Sequence, residues 1–213
     1  QPDFGSAVVI VSVSFLLMLL GGVPPKFLGG VLGVGVSAGA VLALSSAYRR
    51  ARVMTFLDPW HDPSGKGFQI LQSFVGLHSG GLWGVGLGNG KEKLFFLPEA
   101  HNDFIFSVIG EELGFVGVVL VASTFVALVL RGLRVSWKRF ETYNDLFGML
   151  LGSGMTLLLG LQGFFNMAVV LGLIPTKGLA LPFLSYGGSA LVVNLFCVGV
   201  LLSISRSQER VTQ

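Results

Sequence analysis

Five apolar runs, each close to the length that crosses a bilayer, leave this chain little choice of fold. A helix rising about 1.5 Å per residue needs roughly 20 apolar residues to cover about 30 Å of hydrocarbon. The runs fall at about Phe4–Gly21, Phe27–Ala47, Asp103–Leu130, Tyr143–Ile174 and Ser185–Ile204. Backbone that faces lipid must be hydrogen-bonded within its own segment, so each run is read as a helix. Gly21-Gly22 and Pro24-Pro25 end the first, Arg49, Arg50 and Arg52 the second, Arg131 and Arg134 the third, and Pro175 the fourth. The expected fold is all-α: a polytopic helical membrane protein with five transmembrane helices. A long extracytoplasmic loop, about 48–102, separates the second from the third.

Composition agrees. Of 213 residues 52% are hydrophobic and 12% charged, whereas soluble domains carry about a quarter charged residues. A soluble globule is excluded. The 31 glycines would weaken helices in water, but in lipid they let helices approach closely. The single cysteine, Cys197, rules out an internal disulfide and reads as a packing thiol. The chain opens Gln1-Pro2-Asp3, without methionine or a basic leader, and reads as a piece of a longer protein.

Within the long loop, Asp58-Pro59, Asp62-Pro63 and Ser64-Gly65 are turn pairs. Phe68, Leu71, Phe74 and Val75 have helical spacing, which predicts a short helix along the membrane surface. A loop of this length reads as functional. Lysine and arginine divide seven to seven between the two sides of the membrane. Those in short segments (Lys26, Arg131, Arg134, Lys138, Arg139, Arg206, Arg210) mark the cytoplasmic side, which puts the long loop outside.

Candidate chemistry gathers at the third run, Leu97-Pro98-Glu99-Ala100-His101-Asn102-Asp103-Phe104, followed by Gly110-Glu111-Glu112-Leu113-Gly114. Acids near a bilayer are expensive and mark function by default. On an unbroken helix Gly110, Gly114 and Gly117 would lie within about 40° of Asp103. Glu111 would lie about a quarter-turn away and roughly 12 Å deeper, with Glu112 on the opposite face. Asp103 reads equally well as a helix N-cap, although Asn102 could cap in its place. Glu111 and Glu112 suit hydrogen bonding to loop backbone or pairing with a buried arginine. His101 suits a base or an interfacial hydrogen-bonding group.

A second cluster is Pro175-Thr176-Lys177-Gly178-Leu179-Ala180-Leu181-Pro182-Phe183-Leu184-Ser185-Tyr186-Gly187-Gly188-Ser189. Lys177 either snorkels or meets a phosphate. The turn through Ser185, Gly187 and Gly188 offers N–H groups at a helix start, a ready anion site. Gln162 and Asn166, one turn apart, suit interhelical hydrogen bonds. No zinc spacing, Walker motif or nucleophilic triad is present. An enzyme built this way needs no soluble cofactor.

Taken together, Gln1–Gly5, Arg49–Trp60 (RRARVMTFLDPW), Gly80–Asn89 (GGLWGVGLGN), Leu97–Gly114 (LPEAHNDFIFSVIGEELG) and Pro175–Ser189 (PTKGLALPFLSYGGS) resemble the SEDS family (shape, elongation, division and sporulation). The likeness covers essentially the whole chain, which corresponds to the C-terminal half of such a protein. Its PTKG form resembles the cell-division branch or its sporulation relative. Asn102 stands where threonine is common and Ala190 where serine is common.

The resemblance implies a bacterial inner-membrane peptidoglycan glycosyltransferase at the division septum, with its active site facing outward. It would polymerise lipid II by inverting transfer. Asp103 would be the general base, and Lys177 and Arg52 the cations beside the leaving pyrophosphate. His101, Ser185, Gly187 and Gly188 would contact substrate, and Glu99, Glu111 and Glu112 would support. No metal ligand is assigned, but a divalent cation is compatible. A class B penicillin-binding transpeptidase and other divisome membrane proteins are the implied partners, with no nucleic acid. Half of the protein would not catalyse alone. The same residues also admit a lipid II flippase or other transporter, or a non-catalytic divisome scaffold.

Overall fold

The computed structural model describes residues 4–45, 54–63, 65, 67–92, 101–175 and 178–209. Among them the fold is all-helical, with no strand. In chain order the helices are α1 (Phe4–Leu20), α2 (Pro25–Ser45), α3 (Phe68–Gly80), α4 (Ile105–Tyr143), α5 (Leu146–Val170) and α6 (Gly188–Glu209), with a 3-10 turn at Pro59–His61. Among the described residues, the apolar parts of α4, α5 and α6 are each long enough to cross a bilayer, and α1 is a shorter apolar helix.

Among the described helices, α1 and α5 are closed by a glycine one residue past the cap. After α1, Gly22 takes φ +83° and the Val23 N–H is donated to the Met18 carbonyl at 3.0 Å. After α5, Gly172 takes φ +67° and Leu173 donates to Ala168 at 2.8 Å. Both are Schellman-type endings, in which a left-handed residue lets a late N–H reach back to an orphan carbonyl. The fourth run was expected to continue to Pro175. It stops at Val170 because Gly172 turns the chain first, with the Phe74 ring packed over it.

The third run was expected to stop at Arg131 and Arg134, but α4 runs on to Tyr143. Arginine and lysine end an apolar stretch without ending a helix, since both are good helix formers. What stops α4 is Asn144, left-handed at φ 52°, whose N–H is donated to Phe140 at 2.8 Å. Asp145 then caps α5, accepting the Gly148 N–H at 2.8 Å and an Arg139 Nε–H at 2.9 Å. Tyr143 therefore belongs to α4, and the next helix starts at Leu146.

The α4–α5 pair forms the body of the fold. Side chains and glycines interlock along it in one antiparallel register: Gly152 against Ser136, Gly132 against Thr156, Gly160 against Val129, Gly163 against Phe125. The Ser136 and Thr156 hydroxyls are themselves donated to the carbonyls of Gly132 and Gly152, at 2.9 and 2.8 Å. Lipid gives two apolar helices no hydrophobic reason to associate, so close packing of this kind holds them. At one end, Phe104, Phe106, Phe125, Met167, Val170 and Leu181 belong to one buried cluster.

The short helix α3 also packs into this body. Its buried residues are Ile70, Leu71, Ser73, Gly76 and Gly80, while Val75 faces outward. Apolar spacing therefore located the helix but not its inward face, which is built largely from small residues. The Ser73 hydroxyl reaches the orphan carbonyl of Val170 at 3.2 Å, and Ser107 donates to the Ser73 carbonyl at 3.0 Å.

Filling one of the interhelical notches should weaken the fold. Gly132→Leu would drive a branched side chain into Thr156, an overpacking expected to cost about 1–3 kcal/mol. Thermal unfolding of the full-length protein in detergent, compared with the same change at the open position Gly199, checks this.

Candidate functional site

The site is organised by a break in α4. At Gly114 the backbone takes φ 68° and ψ −164°, which no helix tolerates. An unbroken helix would donate the Phe115 and Val116 N–H groups to the carbonyls of Glu111 and Glu112. Here Phe115 donates to Gly81 at 2.9 Å and Val116 to Leu82 at 3.3 Å. The freed carbonyls of Glu111 and Glu112 accept from Val85 at 3.0 Å and Gly86 at 3.1 Å. The loop after α3 is thus spliced into the helix's own hydrogen-bond ladder.

Glycine is needed where the two chains meet. Gly84 (φ +78°) lies on the Glu112 carbonyl and the Gly114 N–H, and Gly114 lies on Gly84 and Leu82, so a Cβ at either would collide with backbone. Gly81, Gly86 and Gly88 also have positive φ, a region open to glycine and strained for other residues. The glycine-rich motif is therefore a backbone fitting.

Glu111 and Glu112 fasten the far end of the same loop. Glu111 accepts the N–H groups of Lys91 and Glu92 through its two oxygens, at 2.8 and 3.2 Å. Glu112 accepts those of Gly88 and Gly90, at 3.1 and 3.4 Å. Hydrogen bonding to loop backbone, one of the two plain readings of these acids, is what they do. The loop wraps over the broken helix end, and both acids reach it. The glycine wheel drawn from Asp103 fails, since the helix does not continue unbroken through Gly114.

The rim holding Asp103 is built from two segments bound to α5. Asp103 lies in a turn, residues 101–104, and Phe104 occupies the N-cap of α4. Neither Asp103 nor Asn102 takes that position. The Asn166 side-chain amide is donated to the Asp103 carbonyl at 2.7 Å and to the Leu179 carbonyl. Gln162 donates to Ala180 at 3.0 Å. Both were expected to bond between helices; instead they pin the loops at the helix end.

The two segments also bond each other. The Ser185 hydroxyl is donated to the Asn102 carbonyl at 2.6 Å and accepts the Leu181 N–H at 2.7 Å. The Tyr186 N–H is donated to the His101 carbonyl at 3.0 Å. A Cβ placed on Gly178 would stand 3.0 Å from an Asp103 carboxylate oxygen, so the 178–187 loop runs beside that acid. Next to this junction lies an open cavity of about 460 Å³, lined by His101, Ser185, Gly187 and Gly188 together with apolar Ile105 and Leu191.

Asp103, His101, Ser185, Gly187 and Gly188 are thus brought to one rim, and Glu111 and Glu112 to the neighbouring splice. Lys177, Arg52 and Glu99 lie outside the described residues. Among the described residues no three His, Cys, Asp or Glu side chains are grouped to hold a metal ion. Gly114 and Asn166 shape the site in ways other than the close helix face and the interhelical bond expected of them.

A polytopic membrane protein with an acid-bearing rim at its helix ends defines a class, and comparison with known proteins gives the family. The FtsW/RodA/SpoVE model, described as "Cell cycle protein", matches residues 1–210, and the chain belongs to that family. Its relatives include the protein named "Probable peptidoglycan glycosyltransferase FtsW" of Geobacter metallireducens, 50% identical over 96% of this chain and 54% of that one. The protein of the same name from Coxiella burnetii is 44% identical over 98% of this chain and 56% of its own. A solved chain from "Structural coordination of polymerization and crosslinking by a peptidoglycan synthase complex" superposes with TM-score 0.74 at 35% identity, covering 97% of this chain and 56% of that one. The chain spans about half the length of the relatives it matches.

Removing the Asn166 amide should loosen the rim. In Asn166→Leu the carbonyls of Asp103 and Leu179 lose their donor, at about 1–3 kcal/mol for each group left buried. Hydrogen exchange should then quicken at Leu181, Ser185 and Tyr186, whose N–H groups are bonded within the rim.

Proposed function

We propose that the full-length protein containing this chain polymerises lipid II, joining lipid-linked disaccharides into glycan strands at the outer face of the bacterial inner membrane, at the division septum. The observation that carries this reading is the junction of Asp103 with the 178–187 loop. The names of the relatives support the activity, and the five apolar runs support five spans in this half.

In this mechanism the Asp103 carboxylate takes the proton from the acceptor sugar hydroxyl. The oxygen attacks the donor anomeric carbon as the bond to the lipid pyrophosphate breaks, inverting that centre. Lys177 and Arg52 neutralise the charge that develops on the leaving pyrophosphate. His101, Ser185 and the Gly187-Gly188 backbone line the space where the substrate phosphates or sugars would lie. Glu99 supports from the segment before the rim. A divalent cation accompanying the pyrophosphate is compatible, and no step is routed through it. Positioning of two membrane-held sugars contributes rate beyond the base itself.

A class B penicillin-binding transpeptidase is the proposed membrane partner, with other divisome proteins. A solved relative from a complex that couples polymerization to crosslinking supports it.

Purified full-length protein should form polymer from lipid II, and Asp103→Asn should lose about 10² to 10⁴ of that rate, the usual worth of one positioned base. Its thermal midpoint should stay unchanged. Polymer made at the normal rate by that variant removes Asp103 from the mechanism. Lipid II crossing vesicles without polymer would make the protein a flippase, a reading that the broken segment between α5 and α6 favours. Neither activity would leave the scaffold.

A further inference from the structure

We propose that Glu92 keeps its proton at neutral pH, and that this neutral acid is what allows the spliced loop to stay seated in the break of α4. The inference stands apart from the catalytic reading, since it concerns the seat of the loop and not the sugar chemistry.

Glu92 is 5% exposed, and one of its carboxyl oxygens is buried without a hydrogen-bond partner among the described residues. An ionised carboxylate is acceptor-only and needs donors for its oxygens. A bare buried oxygen is tolerable on a neutral acid and costly on an anion. The backbone of the same residue is already committed, its N–H donated to Glu111.

Among the described residues, the buried charge nearby is of the wrong sign. From α4 come Glu111, 3% exposed, and Glu112, their oxygens engaged by the N–H groups of Lys91 and Glu92 and of Gly88 and Gly90. From α3 comes Gly76, packed close enough that an added Cβ would stand 3.0 Å from the Glu92 Cγ. The one titratable side chain of α3, His78, is exposed, as is Lys91 of the loop. Burial first, and then the Glu111 charge, push the Glu92 carboxyl above the ordinary value of 4.5.

Loss of that proton would set two like charges in one buried seat. Since Glu92 and Glu111 share the loop's last anchor, the loop would leave, and the bonds from Val85 and Gly86 into the helix gap would open with it. The linkage has a definite sign. A carboxyl raised in the folded state binds more protons there than when unfolded. Its contribution is therefore complete below the ordinary value and is lost as pH rises through the folded value.

The experiment uses full-length protein in detergent between pH 5 and pH 9, following thermal midpoint and hydrogen exchange of the amides from Gly84 to Glu92. In wild type, after correction for intrinsic exchange, loop opening should rise with pH by up to about tenfold per unit, the slope for one proton. Glu92→Gln, shaped like the protonated acid but unable to ionise, should flatten that dependence and match or exceed wild-type protection at the alkaline end. A Gln variant that keeps the wild-type pH slope overturns the proposal. So does one that fails to fold or loses loop protection at every pH, or a wild type destabilised by a chelator in a way the variant is not, since each makes Glu92 a working anion.

Discussion

Where lipid is the solvent, backbone N–H and carbonyl groups have nowhere to go but each other. The break at Gly114 would strand four of them, two on each side, and the loop from Gly81 to Gly86 meets all four. The remaining features of this end follow from that exchange. The loop must approach as bare backbone, so Gly84 and Gly114 face each other without side chains. Its far end must be tied down, which Glu111 and Glu112 do through four N–H groups. α3, which leads into the loop, must lie tight against α4, and Gly76, Gly80 and Ser73 make that contact.

The other half of the fold is held differently. Along α4 and α5, Gly132, Gly152, Gly160 and Gly163 each receive a side chain of the other helix, at intervals of about one turn. Toward the rim, packing gives way to polarity. Gln162 and Asn166 continue the α5 face that meets the loops, but as amides that bind loop carbonyls. One helix face therefore serves first as a packing surface and then as a mount for irregular chain.

Much of this was legible in the residues. Apolar length alone located the long helices, because the bilayer is an unambiguous ruler. Motif chemistry brought Asp103, His101 and the Ser185–Gly188 turn to notice, and they do share a rim. Glu111 and Glu112 were open between two plain readings, one of which holds. What could not be read was conformation that a residue type merely permits. Glycine in a lipid-facing helix usually signals close packing, and nothing around Gly114 distinguishes that use from a positive φ. The partners of Asn166 were hidden because helical period says which residues share a face and not what lies opposite. The overrun of α4 past Arg134 was missed because hydropathy reports where lipid ends, whereas helix continuation depends on propensity and capping.

The side-chain amide of Asn166 touches two strands of chain that arrive from opposite directions, the one entering α4 and the one leaving α5. With Ser185 stitching those strands together a few residues on, the joint works as a rivet through two plates. A load applied to either plate is felt by the other. A bulky guest pressing on the loop after α5 would therefore swing the aspartate with it, so that the spacing between them travels as a unit and is not retuned with each arrival.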